Sequence, residues 1–189
     1  MNVVVLRETQ AGEARVALMP ESVKKLIGLK ATVLVERGAG LNAARTDADY
    51  EEAGAQVSPD RDALLKDADV LAVVNRPSAE DFARLKRGAV VIGFLRPLDE
   101  PAALLPAIDR GITTFSVELI PRITRAQSMD ALSSMATVAG YKAVLLGAAH
   151  IPRMFPLLMT AAGTVPPARV MIAAKHLLSG TRLCDCFHP

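Results

Sequence analysis

Between Arg122 and Asp130 the chain sets Arg122, Thr124, Arg125, Gln127, Ser128 and Asp130 within nine positions. Two guanidiniums offer forked donors to a phosphate or a carboxylate. Gln127 brings both a donor and an acceptor, and ionised Asp130 only acceptors. A carboxamide on a ligand needs such a mixed set. The alternative is that Arg125 and Asp130 simply pair with each other and cap a helix start.

The segment that follows must hold these groups still. From about Ser128 the pattern reads as a helix reaching Ala149. Met129, Leu132 and Met135 recur at threes, and Val138, Ala139 and Ala143 extend an apolar stripe. A polar loop feeding a rigid helix is a common way to fix functional groups. His150, at the helix end, suits a partner of the helix dipole better than a catalyst.

Upstream, short apolar runs alternate with amphipathic helices, the pattern of a doubly wound, mostly parallel sheet with flanking helices. Strands are predicted at Val3–Leu6, Thr32–Val35, Val70–Val74, Val90–Phe94 and Ile112–Val117. Pro20 opens a helix to about Leu29, and Thr46, Asp60 and Ser78 cap three more. Asp81, three residues after Ser78, makes a box-like start. Asp99 and Pro101 open a helix to Asp109, with a kink or break at Pro106. Gly38-Ala39-Gly40 lacks the third glycine of a phosphate-binding turn and reads as an ordinary turn. After Pro152 another helix is predicted to about Ala161. Residues 165–172 then read as a linker entering a new strand.

The chain has 189 residues, is 51% hydrophobic and carries a net charge of +2. A core is therefore expected, and neither a nucleic-acid arm nor base-stacking aromatics are evident. No apolar run looks long enough to cross a bilayer, and no signal or transit peptide is readable. The two cysteines, Cys184 and Cys186, lie near the end with His176 and His188. Their Cys-x-Cys-x-His spacing is not that of a zinc finger, and no metal site is expected.

Two blocks carry a family resemblance. Pro121-Arg-Ile-Thr-Arg-Ala-Gln-Ser-Met-Asp-Ala-Leu-Ser-Ser134 and Thr160-Ala-Ala-Gly-Thr-Val-Pro-Pro-Ala-Arg-Val170 resemble the NAD(H)-binding alpha component of proton-translocating NAD(P) transhydrogenase. The resemblance covers roughly residues 1–172. It implies that the polar loop folds over the nicotinamide of NAD(H), with contacts from Arg122, Gln127, Asp130 and Ser133. It implies partners that bind NADP(H) and span the membrane, a homodimer, and a place in the cytoplasm or at the cytoplasmic face of the inner membrane. It divides the chain into an α/β domain at 1–127, connecting helices at 128–164, and at 165–189 the first strand of a second, Rossmann domain with a divergent tail.

Beyond Ile172 the resemblance stops. The Gly-x-Gly-x-x-Gly turn that would grip a pyrophosphate does not follow, and a truncated or frame-shifted end is the expected reason. The chain alone is therefore expected to bind NAD(H) weakly or not at all. A folded fragment that only dimerises or binds partners is the rival reading.

Alanine dehydrogenase shares the fold, and there an arginine matching Arg15 binds the pyruvate carboxylate. Its lysine and histidine positions are here Asn75 and Arg96. Neither can shuttle a proton at working pH, so keto-acid chemistry is disfavoured. Arg15 is then expected to be structural, paired with Glu8 or Glu13. No residue is assigned a catalytic role, since hydride passes directly between two nicotinamides.

Overall fold

A computed structural model describes residues 1–171. The chain forms two compact units, Met1–Ile120 and a second beginning at Pro121.

In the first unit the elements alternate. They run β1 (Asn2–Val5), α1 (Pro20–Gly28), β2 (Thr32–Glu36), α2 (Asp47–Glu52), β3 (Gln56–Ser58), α3 (Arg61–Asp67), β4 (Val70–Asn75), α4 (Ala79–Arg84), β5 (Val90–Phe94), α5 (Leu105–Asp109) and β6 (Thr113–Ser116). Six parallel strands lie in the order β3-β2-β1-β4-β5-β6. The chain walks outward from β1 to β3, then returns past β1 to start again at β4. Helices therefore fall on both faces. Val3, Val5, Val33 and Val35 pack with Val23 of α1 and Tyr50 of α2. Val4, Leu71, Val73 and Val91 face the other way, toward Leu64 and Leu65 of α3, Phe82 of α4 and Ala107 of α5. Alternate residues of one strand feeding opposite cores is the signature of a sheet buried on both sides.

The predicted caps form. Thr46 accepts from the Asp49 N–H while the Asp49 carboxylate takes the Thr46 N–H, a complete capping box. Asp60 accepts from Ala63 N–H, and Ser78 from Asp81 N–H. The chain breaks before Pro106, with a 3-10 turn over Pro101–Leu104 giving way to α5. Gly38-Ala39-Gly40 makes a turn into a 3-10 segment at Leu41–Ala43. β3 escaped the sequence reading, because three residues with one apolar side chain leave no periodic trace.

Gly93 occupies the point where β4 and β5 slip in register between Ala72 and Asn75. A Cβ there would lie 2.6 Å from the Val73 carbonyl oxygen, so the two backbones approach as only glycine permits.

The second unit differs from expectation in three ways. Its long helix, α6, runs Ala131–His150, and the polar stretch before it is itself a 3-10 turn at Thr124–Met129. Apolar residues are distributed around α6 rather than along one stripe, and none of its residues is buried. By length and composition α6 could also cross a bilayer: it has 20 residues and a mean hydropathy of 1.2. This corrects the reading that no run is long enough; its single charged residue, Lys142, interrupts the pattern without abolishing it.

The helix predicted up to Ala161 is instead an antiparallel hairpin, β7 (Leu158–Thr160) with β8 (Gly163–Val165). Pro152 and Pro156 deny the helix its backbone donors. Gly163, at φ 131°, then closes a two-residue turn that a side-chain-bearing residue resists. The Thr160 hydroxyl donates to the Gly163 carbonyl at 3.0 Å. Residues 166–171 carry no regular structure, so the strand predicted from Arg169 does not begin among the described residues. His176, Cys184, Cys186 and His188 lie outside them.

Candidate functional site

The 3-10 turn delivers the chain to α6 through Asp130. Its N–H donates to the Gln127 carbonyl at 3.3 Å. Its carboxylate then closes on Ser133, taking the backbone N–H at 2.9 Å and the hydroxyl at 2.5 Å. The Ser134 hydroxyl donates back to the Asp130 carbonyl, and Thr137 to that of Ser133. Asp130 is thus the N-cap of α6, as one sequence reading allowed. The Ser133 hydroxyl, then its N–H, hold the Asp130 carboxyl below its usual range, with the Arg122 charge adding to them. No ion pair joins Arg125 to Asp130 among the described residues.

Of the four predicted nicotinamide contacts, the structure joins Asp130 and Ser133 directly and brings the Arg122 charge to bear on Asp130. Gln127 meets them through its carbonyl, and its side chain is exposed, as are Arg122 and Arg125. The result is a set of forked cations, an amide, a carboxylate and a hydroxyl within one turn and the helix head that follows. Such a set can take a planar carboxamide, donating to its oxygen and accepting from its nitrogen.

A second polar cluster occupies the carboxyl ends of β1, β4 and β5 in the first unit. An open doubly wound sheet binds its ligands beside such a reversal of strand order. Arg15 forks onto Glu13, with Nε to Oε1 at 2.7 Å and Nη2 to Oε2 at 2.6 Å. Its guanidinium lies 5.7 Å from the Phe94 ring centre. Asn75 donates its side-chain nitrogen to Glu13 at 2.9 Å and to Glu8 at 3.1 Å, and Glu8 also takes the Val74 N–H at 2.6 Å. Arg15 pairs with Glu13, one of its two expected partners. Glu13 falls to a pKa of about 2, chiefly through the Arg15 hydrogen bond, with Asn75 helping and burial opposing. Arg96 adopts φ 54° and donates its N–H to Glu118. A cavity of about 120 Å³ opens nearby, lined by Arg7, Thr9, Gln10, Asn75, Arg76 and Ser78 among others.

Sequence reasoning missed the network beside it. Arg61 reaches Glu36 at 2.6 Å and Asp81 at 2.9 Å, and donates to the Arg7 carbonyl. Glu36 ends β2, where a dinucleotide fold places the acid that takes a ribose hydroxyl. Here Arg61 and the Arg7 N–H consume that acid. This sheet's own nucleotide position is filled by its own side chains. An acid closing a strand was the available signal, but its partner lies 25 residues away.

Fold and loop together define the class. Residues 4–139 match the family described as alanine dehydrogenase/PNT, N-terminal domain, and the chain belongs to that family. Within it, the NAD(H)-side first portion of the NAD(P) transhydrogenase alpha subunit of Rhodospirillum rubrum is 45% identical over 177 residues, covering 91% of this chain and 46% of that protein. Alanine dehydrogenase of Mycobacterium tuberculosis is 34% identical over 175 residues, covering 91% and 47%. The crystal structure of transhydrogenase from Sinorhizobium meliloti superposes with a TM-score of 0.85 at 48% identity, over 89% of this chain and 50% of that one. The chain spans about half the length of these relatives.

Proposed function

We propose that this chain supplies the nicotinamide-side segment of the NAD(H) component of an NAD(P) transhydrogenase. It would act with a component that binds NADP(H), a membrane component that moves protons, and a second copy of itself, at the cytoplasmic face of the inner membrane. The relatives named transhydrogenase support this reading. The observation that carries it is the joined Asp130–Ser133 pair under the Arg122 charge.

NAD(H), when bound, supplies the hydride. The chain's residues have only to orient the ring that carries it. Arg122 and Gln127 suit the carboxamide oxygen as donors. Asp130 suits its nitrogen as acceptor, and for that it must share or release the Ser133 hydroxyl. No side chain here needs to move a proton.

Alanine dehydrogenase activity is disfavoured by the second cluster. Asn75 spends its amide donors on Glu8 and Glu13, and Arg15 is held by Glu13. Neither offers a free cation to a keto acid, and Arg96 keeps its proton.

Two measurements test the proposal. Hydride transfer from NADH, assayed with an added NADP(H) component, is expected only when a dinucleotide turn is supplied by further chain. By itself the chain is expected to bind NADH more weakly than about 1 mM. Micromolar saturable binding, or turnover of pyruvate and ammonia with NADH, would contradict it.

A further inference from the structure

β6 ends the sheet, pairing only with β5. The other edge is blunted: β3 has three residues and runs into Pro59. β6 has no such protection. Thr113, Thr114, Phe115 and Ser116 are uncharged and favour strands, and Phe115 is 57% exposed. A free edge of this kind is a template for pairing with another chain.

What identifies the partner lies at the two ends of the strand. The described residues contain two buried side-chain atoms without a hydrogen-bond partner: Arg110 Nε, a donor, and Glu118 Oε2, an acceptor. Polar groups withdrawn from water in this way are costly and call for an explanation. Arg110 stands four residues before Thr114 and Glu118 four residues after it. Under a two-fold axis through Thr114, antiparallel pairing sets Thr113 against Phe115 of the copy. It also sets the Arg110 end of each chain against the Glu118 end of the other. A donor without an acceptor thereby meets an acceptor without a donor, twice, by symmetry.

We propose that the β6 edge pairs with the same edge of a second copy, antiparallel and centred on Thr114. The uncharged strand, the equal offsets and the complementary end groups all select a copy over an unrelated peptide. This contact is independent of the nicotinamide reading, and its test uses no coenzyme.

Sedimentation equilibrium on the full chain is the experiment, with folding checked by circular dichroism. Self-association is expected. R110E and E118R should each weaken it at least about tenfold, and R110E/E118R should restore it. In a C184S/C186S background, T114C should cross-link to its copy under mild oxidation, whereas E52C on α2 should not. A chain that stays monomeric on the order of 100 µM overturns the proposal. So does association that neither charge reversal moves, since that contact would lie elsewhere. Cross-linking by E52C as readily as by T114C also overturns it.

Discussion

Both carboxylate oxygens of Glu13 face the Arg15 fork, at 2.7 and 2.6 Å. One of them also takes the Asn75 amide. The pair pins the long β1–α1 loop to the end of β4, and the pH dependence of stability should report it. The Glu13 pKa is about 2 in the folded chain against an ordinary 4.5. A lowered folded pKa gives stability that is complete above 4.5 and fades as pH falls toward 2. Urea unfolding at about pH 6 and about pH 3 should differ by up to about 2 kcal/mol from this group, less where solvent screens the pair. E13Q should remove that part of the difference and lower stability at the higher pH.

At the head of α6, cap and charge are separable. Asn caps helices nearly as well as Asp but carries no charge. D130N should keep the helical circular dichroism signal and unfolding midpoint of the parent. D130A should lose about 1 kcal/mol of stability, as removal of a cap does. Equal losses from both variants would show that the carboxylate's charge, not its cap, holds this junction.

Arg61 stands between Glu36 and Asp81, each less than 10% exposed. Removing the cation leaves two buried carboxylates facing each other. R61M should cost about 3–5 kcal/mol in chemical denaturation, the usual penalty for stranding a buried charge. R61M/E36Q/D81N should recover most of that loss, because the neutral set has no uncompensated charge to bury.

Gly93 lies under the Val73 carbonyl. G93A must push β4 and β5 apart where their register slips, and should cost about 1–3 kcal/mol, the range for overpacking. Hydrogen exchange at β5 and β6 should rise before exchange at β1 and β2. A uniform rise across the sheet would contradict this placement.

The sheet was legible because its strands are unbroken apolar runs and its helices begin with side chains that cap them. Thr46, Asp60 and Ser78 act within three residues of themselves, so a local reading finds them. What escaped reading acts across distance. Asn75 joins Glu8 and Glu13 over more than sixty residues, and Arg61 joins Glu36 and Asp81 from opposite sides. Neither spacing leaves a periodic mark. The hairpin at Leu158–Val165 was misread as helix because its strands have three residues each, while its Gly163 turn imitates the end of a helix. At the nicotinamide loop the residue types were readable. The lock between Asp130 and Ser133 follows from cap geometry, which the expected start at Ser128 displaced by three positions.

The helix without a wet side bears on how the polypeptide would be handled in the laboratory. Both apolar clusters of the sheet are complete by Ala107, so a piece ending near Ile120 carries its own interior. α6 contributes nothing to either cluster, and Val138, Tyr141, Leu145 and Leu146 each stay more than 40% bare. Whatever surrounds this rod must come at it from several directions at once. Company for α6 would therefore decide the solubility of the molecule, while leaving the melting of its sheet untouched.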